Sequence, residues 1–254
     1  MSSSRDRALA ILELLVRHAR GLPMSEIGDT LGVPRSAAHR LLADLKATGY
    51  VKQDPVTSHY LLTVRLASLG LAFLAAKGIT DLAQPVLDEL AEATGELARL
   101  AMAEEDHLVW IAKAQGARTG LRYDPDSGAD VYLPASANGL AFLAAVSEDH
   151  ALRLLAAQGM ERAASMGPGS PKSLREAMDR VEETRERGYA VVFDSYEAGT
   201  SAIAAVIQRE PGTPPAGTVS IAGPSVRISR ERIGELAPHV LRAASSLAVT
   251  GFER

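Results

Sequence analysis

Ser25-Glu26-Ile27-Gly28-Asp29-Thr30-Leu31-Gly32-Val33-Pro34-Arg35-Ser36-Ala37-Ala38-His39-Arg40-Leu41-Leu42 reads as two short helices joined by a tight turn at Gly32. Ile27 and Leu31 give the first helix an apolar side, and Ser25 is placed to cap it. Pro34 suits a helix first turn, where its missing N–H costs nothing. The following helix is expected from Arg35 to about Thr48, with Leu41, Leu42 and Leu45 turned inward and Gly49 stopping it. Arg35, Ser36, His39 and Arg40 then face outward. Tyr50-Val51-Lys52 and His59-Tyr60-Leu61-Leu62 flank a turn cluster at 53–58 and predict two strands. Two helices with a β-ribbon behind them form a winged helix-turn-helix, a shape that lays one helix in a DNA major groove.

Upstream, residues 7–18 place Ala8, Ile11, Leu12, Leu15 and Val16 on one helical face. Downstream, residues 64–76 form an apolar helical stretch ended by Lys77-Gly78 and too short to span a bilayer. It reads as a linker helix that also pairs subunits, with a domain boundary near residue 78. The remainder alternates. A helix at 80–94 precedes strands at 96–101 and 107–113, with Glu104-Glu105-Asp106 as their turn. Segments 120–123 and 131–133 are candidate strands. Helices are expected at 135–146, 148–157 and 171–187, the last with Ser170 as cap and Pro171 at its first position. Strands at 189–194, 201–207 and 217–222 precede a closing helix at 229–249; 166–171 and 209–217 are loops. The fold class is α+β, with helices on the faces of an antiparallel sheet. The expected domains are 1–64, 65–78 and 79–254.

The chain has 254 residues and no cysteine, which excludes disulfides, thiolate metal sites and a thiol nucleophile, and fits a cytoplasmic protein. Its N-terminus leads into an amphipathic segment, not a signal-peptide apolar block, and no membrane association is expected. The net charge of −4 is unevenly spread: residues 1–65 carry +3 and the rest −7. A mildly basic module on an acidic body suits a protein that meets phosphate at one end.

The residues that carry a family resemblance are distributed over both halves. They are Arg7-Ala8-Leu9-Ala10-Ile11-Leu12, Leu31-Gly32-Val33-Pro34-Arg35-Ser36, His39-Arg40-Leu41-Leu42, Gly49-Tyr50-Val51 and Leu69-Gly70. To these the second half adds Thr94-Gly95-Glu96, Ala135-Ser136-Ala137-Asn138-Gly139, Arg187-Gly188-Tyr189-Ala190, Glu197-Ala198-Gly199, Ile203-Ala204-Ala205 and Ser220-Ile221-Ala222-Gly223-Pro224. In this order, over roughly residues 7–250, the chain resembles the isocitrate-lyase-regulator (IclR) family of bacterial transcription regulators. The resemblance implies a linker helix and a GAF-like effector-binding domain that takes a small organic molecule, commonly a carboxylic acid or aromatic metabolite. It also implies a homodimer, often associated into a tetramer, that acts as repressor or activator on a double-stranded DNA operator.

For DNA, Arg35 and His39 lie four apart and project from one face. Arg35 is assigned to a guanine edge, a bidentate pairing worth about 1–3 kcal/mol of discrimination. Ser36 reaches a base or a phosphate, and small Ala37 and Ala38 allow close approach. Arg40 either touches DNA or supports the fold; His39 either reads DNA or is hydrogen-bonded within the fold. Ser25 caps its helix and holds phosphate beside it. Lys46, Lys52 and His59 are backbone contacts or a solvated face, and Arg7 is grouped with the DNA-facing residues.

For the effector, the resemblance points to the space between the sheet and the 135–139 motif, where Ala135, Ser136, Ala137, Asn138 and Gly139 open a helix with free N–H groups for a carboxylate. Ser220 and Asp194 add polar groups. Pro134, Ala202 and Ala222 stand where the family often has polar residues, so a more apolar, aromatic acid is favoured. Leu100, Trp110, Leu121 and Leu133 are candidate apolar walls, with ordinary core packing as the other reading. An enzyme is the rival class. No catalytic or metal spacing, nucleophile elbow, phosphate loop or dinucleotide fingerprint occurs, and no cofactor is called for. A winged helix that meets protein is the other rival, and it is separable because a DNA reader loses affinity steeply with salt.

Overall fold

The computed structural model describes residues 3–125, 128–210 and 212–250. Its contacts divide the chain into two compact units, Met1–Ala76 and Lys77–Arg254.

The first unit holds helices α1 (Ser4–Val16), α2 (Met24–Leu31) and α3 (Arg35–Ala47), strands β1 (Val51–Gln53) and β2 (Tyr60–Leu62), and helix α4 (Val64–Ala76). α1 starts at a reciprocal cap in which Ser3 Oγ accepts from the Asp6 N–H and Asp6 accepts from the Ser3 N–H. Gly32 ends α2 with φ 59° and ψ 34°, the left-handed conformation that lets the chain reverse into α3 without a side-chain clash. Ile11, Ile27 and Leu42 are fully buried at the centre of the three helices. Each contributes about 1.5–3 kcal/mol by leaving water. β1 and β2 pair antiparallel, Val51 opposite Leu62.

Two expectations here are corrected. Ser25 does not cap α2: the helix begins one residue earlier behind Pro23, and Ser25 lies exposed in its first turn. Val16 is 60% exposed and does not join the apolar face of α1. α4 has no buried residue; Leu69, Leu71 and Phe73 are each half-exposed or more.

The second unit begins with a single π-type turn (Ile79–Ala83) that runs into α5 (Gln84–Thr94). β3 (Leu97–Glu104) and β4 (His107–Gln115) form a hairpin, turning at Glu105 with φ 53°. A 3-10 turn (Leu133–Ala135) leads into α6 (Ala137–Ala144), then α7 (Glu148–Gln158) and α8 (Leu174–Arg187). β5 (Ala190–Phe193), β6 (Thr200–Ile207), β7 (Gly217–Pro224) and α9 (Ile233–Thr250) complete it. The strands form one antiparallel sheet in the order β4-β3-β7-β6-β5. Side chains alternate across it. Trp110, Ala101, Ala204, Ala190 and Val192 pack with α6 and α8 on one face. Their strand neighbours, among them Val219, Ile221 and Ile203, are fully buried on the other face, where α5 and α9 lie.

Segments 120–123 and 131–133 are not strands; the loop they belong to meets β4 at the bridge between Val109 and Asp130 and through hydrogen bonds from Lys113 Nζ to Asp124 (2.7 Å) and from Gln115 Nε2 to the Tyr123 carbonyl (3.1 Å). α8 starts behind Ser173, whose Oγ accepts from the Glu176 N–H, so Pro171 is not its first residue. Among the described residues no single helix is long and apolar enough to cross a membrane.

Candidate DNA-reading face and effector cavity

α3 sorts its side chains by helical period. Ala38, Leu41, Leu42 and Leu45 are buried, while Arg35, Ser36, His39, Arg40 and Lys46 are exposed and Ala37 is half-buried. Ala38 therefore belongs to the core, fully covered, and not to the outer face where close approach to DNA was expected. His39 and Arg40 stand outside the core. Lys46 Nζ donates to Gln53 Oε1 (3.3 Å), linking α3 to the ribbon. Lys52 is exposed on β1 and His59 half-buried before β2. The ribbon's tip is shaped by Asp54, whose Oδ1 accepts from the N–H groups of Val56 (2.9 Å) and Thr57 (2.8 Å). Those bonds hold its carboxyl below the usual range. Arg7 is half-buried on α1. The result is a rigid apolar platform that presents two guanidinium groups, an imidazole and a hydroxyl from consecutive turns of one helix.

The second unit holds a cavity of about 30 Å³ between the sheet and the start of α6. That is space for water, not for an organic molecule. Seven of the expected residues line it: Trp110, Ser136, Ala137, Asn138, Ala202, Ser220 and Ala222. Arg99, Tyr123, Val192, Tyr196, Thr200 and Ser201 complete the wall and were not anticipated.

Sheet geometry explains the difference. Arg99 sits directly opposite Ser220, and Leu97 opposite Ala222, so these side chains share the α6 face. Leu100, one residue on, points to the other face and cannot reach the cavity. Trp110 pairs with Ala101 and Lys113 with Arg99. Trp110 and Lys113 are three apart and would lie on opposite faces of a regular strand. The register shift beside Ile111 brings both to the side of Arg99.

Five more expected residues fall outside the lining. Leu133 and Ala135 are buried in packed core around the 3-10 turn. Leu121 is 70% exposed on the connecting loop. Gly139 is a packing residue: a Cβ there would stand 2.3 Å from the Leu133 backbone. Asp194 shapes a turn at φ 51°, where its Oδ1 accepts from the Gly199 N–H (2.7 Å) and the Ser225 hydroxyl (3.3 Å).

Polar groups around the cavity are tied unequally. Ser136 caps α6: its Oγ accepts from the Gly139 N–H (3.0 Å) and donates to the Tyr132 carbonyl (2.8 Å). The Gly139 N–H is thus already bonded and not open to a ligand, contrary to the expected set of free donors. Asn138 bridges the walls, accepting from Trp110 Nε1 (3.4 Å) and donating to Thr218 Oγ1 (2.9 Å). Ser220 Oγ is buried with no hydrogen-bond partner among the described residues. The Arg99 guanidinium lies over the Trp110 ring, 3.8 Å from its centroid, and Trp110 meets Tyr196 edge to face at 5.7 Å. Burial lowers the Arg99 pKa to about 10, which leaves it cationic at neutral pH, and pushes the Tyr123 phenol up to about 12.

Comparison with known proteins matches both units. Residues 4–55 fit the IclR helix-turn-helix domain model, and residues 71–249 fit the model of the C-terminal domain of the bacterial transcriptional regulator IclR. The chain is 32% identical to the HTH-type transcriptional regulator BhcR of Paracoccus denitrificans, over 96% of this chain and 85% of that protein. The crystal structure of an IclR transcriptional regulator from Alicyclobacillus acidocaldarius is 25% identical with a TM-score of 0.84, covering all of both chains. An IclR homologue from Microbacterium hydrocarbonoxydans, solved in complex with 4-hydroxybenzoate, shares the fold at 18% identity. Its TM-score is 0.78, with 97% of this chain and 98% of that one covered.

Proposed function

Because the chain belongs to the IclR family of DNA-binding transcriptional regulators, and so is not an enzyme, we propose that it is a ligand-responsive member whose operator affinity is set by a small organic acid. The observation that carries this reading is the hollow between the sheet and the start of α6, lined by the Arg99 cation and by the Ser220 hydroxyl, which has no hydrogen-bond partner among the described residues. A dimer reads a near-palindromic operator with half-sites about one helical turn, or a multiple, apart. In each half-site Arg35 and Ser36 meet base edges, His39 and Arg40 lie beside them, and Lys46, Lys52 and His59 track the phosphates. The uncovered apolar side chains of α4, Leu69, Leu71 and Phe73, support pairing of two copies. The 4-hydroxybenzoate held by the Microbacterium homologue supports an organic acid as effector here. An effector acts only through unequal affinity for two arrangements of the dimer.

Fluorescence anisotropy on duplexes from the gene's own upstream region tests the reading. Affinity for one duplex is expected to exceed that for scrambled DNA, to fall steeply as salt rises, and to change several-fold when an organic acid is added. Equal binding to every duplex, or indifference to a panel of organic acids, breaks it.

A further inference from the structure

The proposed effector reading leaves open what in the cavity recognises an acid. Arg99 is 4% exposed and charged, and it projects from β3 into the hollow. A cation held away from water attracts an anion far more strongly than one on the surface. Ser220 stands directly opposite on β7, and its hydroxyl, in the same space, has no hydrogen-bond partner among the described residues. Around these two groups lie three aromatic rings, Trp110, Tyr123 and Tyr196. The guanidinium now occupies the face of Trp110, and the space left is only about 30 Å³. An aromatic guest therefore needs more room than the cavity now has, and the ring face under the guanidinium is the flat surface it could take.

We propose that Arg99 is the carboxylate anchor for a planar aromatic acid, which replaces the guanidinium on the face of Trp110 and receives a second hydrogen bond from Ser220. In the empty state the Arg99–Trp110 stack fills the site. On binding, the guanidinium swings from the ring to the carboxylate and forms a two-pronged ion pair. The flat body of the ligand takes the vacated ring face, where an aromatic plane packs as the guanidinium plane did. The acid is selected by charge at one end and by flatness at the other. This assignment rests on the cavity being the effector site.

Trp110 is the single tryptophan of the chain, so its fluorescence in the intact protein reports on this cavity. Calorimetry gives affinity, and Trp110 emission gives location. Benzoate is expected to bind and to shift Trp110 emission; benzamide, of like shape but uncharged, and acetate, charged but not flat, should bind at least tenfold more weakly. Arg99→Met should weaken benzoate by roughly 10–100-fold, the usual range for a hydrogen bond to a charged group. Arg99→Lys should fall between, because it keeps charge and loses the fork. Ser220→Ala should cost a few-fold, with circular dichroism establishing that each variant is folded. Benzamide matching benzoate, acetate binding more tightly, unchanged affinity in Arg99→Met, or no heat and no emission change with benzoate would each overturn the assignment. Operator affinity measured in the same samples separates the two readings. Benzoate bound at Trp110 without effect on DNA breaks the regulatory role and leaves the anchor standing.

Discussion

The outer face of α3 and the cavity beneath α6 are built from similar side chains, arginines, a serine and small alanines, and use them in opposite ways. On α3, Arg35, Ser36 and Arg40 stand in water above a closed apolar core. Their charge is screened, and they wait for a ligand larger than the domain. In the sheet, Arg99 and Ser220 are almost wholly buried beside a cavity of about 30 Å³. The difference teaches where the cost of recognition falls. The helix face pays with the ordering of long side chains at contact. The proposed acid site would carry its cost before binding, in a buried hydroxyl that has no partner among the described residues, and would recover it on meeting a carboxylate.

The sharpest way to break this contrast is to loosen the buried site without touching it. Glu96 is 2% exposed and is held by Arg227 through Nε (2.6 Å) and Nη2 (2.8 Å), while Nη1 of Arg227 donates to the Leu121 carbonyl of the connecting loop. Arg227→Ala leaves a buried carboxylate unpaired and frees that loop. Because Arg227 itself is about one-third exposed, a loss near the lower end of the buried-pair range, about 3 kcal/mol, is expected. Urea unfolding followed by Trp110 emission measures it; an unmoved midpoint means the cavity's walls do not depend on that tie.

On the open site, Arg35→Ala should cost about 1–3 kcal/mol on the cognate duplex and far less on random DNA. Equal losses on both would make Arg35 a phosphate contact. Lys52→Ala should act uniformly on all duplexes and lower the slope of log affinity against log salt by roughly 1; an unchanged slope removes Lys52 from the interface. The smallest effect belongs to the buried site again. Ser220→Ala removes a buried hydroxyl that no described residue satisfies, so the ligand-free protein should keep its stability or gain by under about 1 kcal/mol. A clear loss would show that the hydroxyl already has a structural role.

The two sites were also unequally legible. α3 could be read because an amphipathic helix displays its inside and outside at a fixed spacing, and Leu41, Leu42 and Leu45 leave little choice about which way Arg35 and His39 face. Helix starts were harder. Ser25 and Ser170 have the chemistry of caps, yet the chain enters α2 behind Pro23 and α8 behind Ser173, because cap position follows the path of the incoming backbone. In the sheet the local signal is weaker still. Strand β3 reads Leu97-Ala98-Arg99-Leu100-Ala101, and all five residues are buried. Apolar composition marks Leu100 as a wall and gives no hint that its charged neighbour faces the hollow.

By itself the sequence determined the helix-turn-helix and most of its outward residues, the order of the main helices and strands apart from the two segments in the loop after β4, and the motif segments 135–139 and 220–224 that border the cavity. These depend on periodicity, turn residues and caps, which act over a few positions. Only tertiary structure decided that Arg99, Trp110 and Ser220 meet. Their meeting depends on the register between β3 and β7 and on one extra residue in β4, and a shift of a single position would send each side chain to the opposite face.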